Sequence, residues 1–194
     1  MKKLDIYLVG CGGQGILTIA ELITRAAEAK GVNANFFPTK GMAQRGGFVK
    51  AELRLGPETV GPDIHAGGAD LVIAMELSES LKALRYLKKG GDFVVYGYNW
   101  LPTDVMLGKA DYPQVEDVKA AAAKIGAHTV YLDPGELPEG AADNIYLLAA
   151  AVKQSCLGEL FSAEDIENAI VKRWPKGADR NQASFAAGLA AQGK

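Results

Sequence analysis

The chain has 194 residues, 48% of them hydrophobic, enough to bury one core, and 21 basic against 23 acidic residues leave a net charge of −2. This balance speaks against nucleic acid as the main partner, and no apolar run approaches the ~18 residues of a membrane span. Two cysteines, Cys11 and Cys156, and two histidines, His65 and His128, give no disulfide framework and no zinc spacing, and they are too few for an iron–sulfur cluster held by this chain alone.

The start "MKK" is like a signal n-region, but Asp5 interrupts it and no small-residue cleavage site follows, so a cytoplasmic location is expected. "LDIYLVG" (4–10) is an apolar run ending in glycine and predicts a buried strand. "QGILTIAELITRAAEAKG" (14–31) has helical spacing and stops at Gly31. "VNANFFP" (32–38) predicts a second strand and 39–47 a loop. In 48–56 Val49, Ala51, Leu53 and Leu55 alternate with Lys50, Glu52 and Arg54, which predicts an edge or near-edge strand with one wet face. "DLVIAM" (70–75) predicts a buried strand, 76–91 a helix closing at Gly90 or Gly91, and "DFVVYG" (92–97) a strand. The stretch 99–113 is irregular, with "TDVML" able to pair. A helix over 113–126, a strand over 128–133, and helices near 142–157, 162–173 and 179–191 follow. Ser162 with Asp165 forms a capping-box pattern, and Asn144 and Asn181 stand where helices open. Strands alternating with helices, then helices alone, predict one α/β domain over 1–194: a doubly wound, mostly parallel, Rossmann-like sheet with a helical C-terminal segment.

Two stretches carry chemistry. "GCGGQG" satisfies G-x-G-x-x-G through Gly10, Gly12 and Gly15, between a strand and a helix. Glycines let the backbone turn tightly, and free amides at a helix start attract anions. A dinucleotide site also wants an acid at the end of the second strand; that strand ends "FFPTKG", with Lys40 instead, which weakens an NAD reading and keeps an NADP-type site open. The other readings are glycines that merely allow close packing, and a turn that holds a phosphate edge or a partner's cofactor, with Gln14 as a positioning amide. The second stretch, "TKGMAQRGG", sets Lys40, Gln44 and Arg45 between glycines and suits an anion pocket beside the first turn. Cys11, inside the turn, reads as a small buried residue or a redox-active thiol. Tyr98 and Trp100 read as interface anchors or core.

Together these stretches resemble the gamma-type subunit of the 2-oxoacid:ferredoxin oxidoreductases, and within it the beta subunit of the indolepyruvate variety. The likeness lies in "GCGGQG" (10–15), "KGMAQRGG" (40–47), "LPTDVMLGKADYP" (101–113), "DNIYLLAA" (143–150) and "RNQASFAAGLAA" (180–191). The resemblance implies a subunit of an enzyme that oxidatively decarboxylates a 2-oxoacid, joins the acyl group to coenzyme A and reduces ferredoxin. It implies thiamine diphosphate, magnesium and iron–sulfur clusters on a large partner subunit and none on this chain, coenzyme A at the interface, and no activity from the chain alone. Gly10, Gly12, Gly13, Gln14, Gly15, Lys40, Gln44 and Arg45 are then the candidate cofactor-facing residues, with no residue assigned to proton transfer. An isolated chain would expose apolar surface and is expected to self-associate, for instance as a homodimer. The alternative is a stand-alone NADP-type dehydrogenase or nucleotide-binding protein.

Overall fold

The computed structural model describes residues 3–41, 46–56 and 61–194. Its strands are β1 (Leu4–Cys11), β2 (Ala34–Lys40), β3 (Phe48–Leu55), β4 (Ala69–Ala74), β5 (Leu87–Tyr96) and β6 (His128–Leu132). Its helices are α1 (Ile16–Ala29), α2 (Leu77–Ala83), the one-turn α3 (Thr103–Met106), α4 (Val115–Lys124), α5 (Asp143–Gln154), α6 (Ala163–Arg173) and α7 (Asp179–Ala190). The six strands form one sheet in the order β2-β3-β1-β4-β5-β6. Only β3 runs against the rest, pairing antiparallel with both β2 and β1, so the expected mostly parallel α/β sheet is observed.

The pleat explains the two hydrophobic layers. Alternate residues of the central strands point to opposite faces. Ile6, Leu8, Leu71, Ile73, Val94 and Tyr96 join the core beneath α1, α5 and α6. Tyr7, Val9, Val72, Ala74, Phe93 and Val95 join the second core with Leu77, Val118 and Ala122 of α2 and α4. Helix α5 is buried on every side from Ile145 to Val152, as its unbroken apolar run requires. The predicted capping box of α6 is present: Asp165 N donates to Ser162 Oγ at 3.2 Å and Ser162 N to Asp165 Oδ2 at 2.8 Å.

Three expectations fail. The polar face of β3 is not wet. Arg54 pairs with Asp5 of β1 (Nε–Oδ1 3.0 Å, Nη2–Oδ2 3.1 Å) and reaches the carbonyls of Gly61 and Asp63, while Glu52 accepts from Ile64 N. The 61–64 segment is thus strapped over these charges, which an alternating pattern cannot distinguish from solvent exposure. The helix from residue 76 stops at Ala83 and passes through a 3-10 turn into β5. Leu84 and Leu87 are buried and Tyr86 stacks on Tyr7, so tertiary packing overrides local helix preference. "TDVML" does not pair; its first four residues make α3.

Burial alone would raise the Asp5 pKa, but Arg54 and Lys3, by hydrogen bond and charge, outweigh it and hold the carboxyl below its ordinary value. A folded-state pKa below the unfolded one stabilises the protein above the usual carboxylate range, and that contribution fades as pH falls through it. Arg54→Met leaves Asp5 buried without its main partner. Urea titration should show a loss of about 3–5 kcal/mol at neutral pH, and a weaker fall of stability with acidification than in the parent protein.

Candidate functional site

The site is built at the tip of β1. The antiparallel register sets Cys11 opposite Phe48, so the end of β1 meets the start of β3. The ladder continues past both strands: Gly12 N donates to Gly47 O at 2.8 Å and Gly46 N to Gly12 O at 3.3 Å. The described ends of the two glycine-rich loops are therefore stitched together by backbone. The second loop is a β2–β3 hairpin connection, closed by Gly41 N on Phe48 O at 2.8 Å, and not a strand-to-helix loop.

Gln14 locks the first turn from inside. Its Oε1 accepts from Cys11 N at 2.7 Å, and its Nε2 donates to Met75 O at 2.8 Å, joining the tips of β1 and β4. The side chain is buried, and both halves of the amide are spent on backbone. Gly10 makes room for it, since a Cβ there would lie 2.8 Å from Gln14 Oε1. Gly15 begins α1 in the left-handed region (φ 79°) and supplies no side-chain cap, so the first amides of the helix keep their positive end. A Cβ on Gly15 would lie 2.3 Å from Asn144 Nδ2 at the start of α5. Asn144 is not a helix cap in the expected sense, because α5 is entered through Ala142; it closes over Gly15 instead. Asn181 likewise lies within the first turn of α7, which Ala178 begins.

Gly10, Gly12, Gly13, Gln14 and Gly15 form this one turn, and Lys40 is the last residue of β2. Gln44 and Arg45 lie outside the described residues. Because β3 separates β2 from β1, the end of β2 is not beside the glycine turn, as it is where a dinucleotide ribose is held.

Residues that the motifs did not reveal complete the site. Glu76, buried at the end of β4, caps α2 by accepting from Glu79 N at 2.7 Å. It also accepts from Trp100 N at 3.2 Å and from the Tyr112 hydroxyl, tethering the 98–112 segment. Burial, then Glu76, pushes the Tyr112 pKa up. The tethered segment lies over the joined loops. Trp100 sits against Gly46, and a cleft of about 290 Å³ opens between Cys11, Gly46, Glu76, Trp100 and Met106. Of its lining, Trp100, Leu101 and Met106 are exposed, as are Phe48, Tyr98 and Leu107, each within two residues along the chain of a lining residue; among the described residues the only other exposed large hydrophobic is Val171. An acid between a strand and a helix ("AMELSE") is the one sequence cue to Glu76.

Burial, with the Glu76 and Glu79 charges, raises the Cys11 thiol to about 12; burial and Asp92 do the same for Cys156. Neither is a thiolate nucleophile at neutral pH. Among the described residues no group of three or more His, Cys, Asp or Glu is placed to hold a metal ion, and no helix is long and apolar enough to cross a membrane. Among the described residues the donor set therefore does not fit a resident metal or cluster.

Residues 5–191 match the family described as pyruvate ferredoxin/flavodoxin oxidoreductase. The chain is similar to indolepyruvate oxidoreductase subunit IorB of Archaeoglobus fulgidus, 36% identical over 72% of this chain and 69% of that one. It is also similar to IorB of Pyrococcus horikoshii, 32% identical over 98% and 96%. Its fold matches pyruvate oxidoreductase subunit PORC of Thermotoga maritima at TM-score 0.72 and 20% identity, covering 100% of this chain and 98% of that one. It also matches 2-oxoglutarate:ferredoxin oxidoreductase from Magnetococcus marinus at TM-score 0.67 and 20% identity, covering 98% of this chain and 31% of that one.

Two outcomes follow from this geometry. Gly15→Ala should cost about 1–2 kcal/mol from the left-handed backbone alone, plus the Asn144 clash; adding Asn144→Ala should recover the clash but not the backbone strain, as read by thermal unfolding. A maleimide at neutral pH should leave Cys11 and Cys156 largely unlabelled until denaturant is added, when both react.

Proposed function

Since the chain belongs to the pyruvate ferredoxin/flavodoxin oxidoreductase family, we propose that it is the gamma-type subunit of a cytoplasmic 2-oxoacid:ferredoxin oxidoreductase. In this reading it is one domain that docks on a larger subunit carrying thiamine diphosphate, magnesium and iron–sulfur clusters. The substrate is indolepyruvate or another arylpyruvate, a choice supported by the two IorB relatives. On the partner, thiamine diphosphate would supply the carbanion chemistry and the clusters a path by which two electrons leave one at a time for ferredoxin.

The observation that carries this reading is the gathering of six of the seven exposed large hydrophobics of the described residues beside the joined glycine loops. A soluble chain rarely collects such a patch unless another surface covers it, and Trp and Tyr are the residues that dominate such contacts. The chain's own part is then positional. Glu76 holds the 98–112 segment in place, the β1–β3 ladder holds the loops, and α1 starts directly from the glycine turn with no side-chain cap. Gly13, Gly15, Lys40, Gln44 and Arg45 are the groups proposed to meet anionic parts of substrate or coenzyme A, while Gly12, whose N–H is spent on Gly47 O, joins the two loops. Gln14 serves them indirectly, by keeping the turn in shape.

Co-expression with the large subunit should give a complex that reduces a viologen dye with an arylpyruvate and coenzyme A, while the chain alone does not. Trp100→Ala and Met106→Asp should each weaken assembly by about tenfold or more. Equal dye reduction by the large subunit without this chain would contradict the reading.

A further inference from the structure

A second cavity, about 400 Å³, lies between α2 and the β1–β3 edge, on the face opposite α1. Its origin is topological. Helix α2 packs on β1 and β4, and among the described residues the 61–64 strap bonds to β3 at Arg54 and Glu52, leaving a gap beside Lys50 and Phe48. The volume is in the range of small-molecule sites, roughly 300–1,000 Å³.

The lining is chemically specific. One wall is aromatic: Tyr7 and Tyr86 are stacked with centroids 4.2 Å apart at 14°, and Phe48 is 39% exposed at the rim. Three cations, Lys50, Lys82 and Arg85, stand around these rings with one acid, Glu79. Lys82 Nζ is 2.8 Å from Glu79, and Lys50 pairs with Glu52, but each ammonium keeps further donors. Arg85 lies 4.7 Å over the Tyr86 ring and donates to its hydroxyl; among the described residues it pairs with no carboxylate. Its remaining guanidinium donors suit an anion bidentately.

We propose that this cavity binds a small anion joined to a planar ring, the chemistry of a nucleoside monophosphate. The ring lies against Phe48 and meets the edge of Tyr86, whose faces are taken by Tyr7 and Arg85, and the anionic group meets Arg85, Lys82 and Lys50. An aryl carboxylate offers the same pairing of ring and charge, so the test separates the two sources.

Titration calorimetry on the full chain, with AMP, adenosine, inorganic phosphate and indole-3-acetate as probes, tests the site. AMP should bind at least about tenfold more tightly than adenosine or phosphate. Arg85→Gln and Lys82→Gln, both at exposed side chains and each checked for an unchanged melting temperature, should weaken AMP about tenfold for Arg85, one charge-assisted contact, and less for Lys82. Phe48→Ala should weaken AMP while leaving phosphate unaffected. Tighter binding of indole-3-acetate than of AMP would support the cavity and assign it to aryl carboxylates. The proposal is overturned if neither ring-bearing anion outbinds phosphate, if the variants change nothing, or if binding vanishes in the complex with the large subunit, which would make the cavity part of a protein interface.

Discussion

The arrangement rests on one hydrogen-bonded ladder. Strand β3 runs antiparallel to β1 over eight residue pairs, from Leu4 opposite Leu55 to Cys11 opposite Phe48. An antiparallel neighbour begins where its partner ends. The hairpin loop before β3 is therefore delivered to the turn after β1, and the Gly12–Gly46–Gly47 bonds extend the ladder into both loops. A parallel β2 in that place would have put its own carboxyl end there and left the hairpin loop one strand away. The buried Arg54–Asp5 pair sits near the other end of the same ladder, so register is held at both ends.

The inner layer of the site is spent on shape. Gln14 and Glu76 are the polar side chains buried at the strand tips, and both satisfy backbone groups. Buried polar groups that are fully bonded make a turn stiff. What remains outward is Gly13 and an apolar rim, a surface suited to meeting another protein. No side chain of the glycine turn is positioned to move a proton, and both thiols are held protonated.

Much of this was legible in the sequence. Alternating and continuous apolar runs located the six strands, and the ends of "GCGGQG" and "KGMAQRGG" that the structure describes meet at Gly12, Gly46 and Gly47. The order of the strands was not legible, because nothing local in 48–56 says that it inserts between β1 and β2. The fate of Lys50, Glu52 and Arg54 was hidden for the same reason: an alternating pattern reports that one face is polar, not that a distant segment covers it. Glu76 escaped notice because its partners, Trp100 and Tyr112, are 24 and 36 residues away. Gln14 was noticed for its chemistry, and its structural duty emerged only with Met75, 61 residues on.

Hydrogen exchange of the chain, alone and mixed with the proposed large subunit, tests the central claim most directly. If the joined loops and the tethered segment form the docking face, amides of 10–15, 46–48 and 98–107 gain protection together on binding. Protection confined to α6 and α7, with those three stretches exchanging as in the free chain, would contradict it.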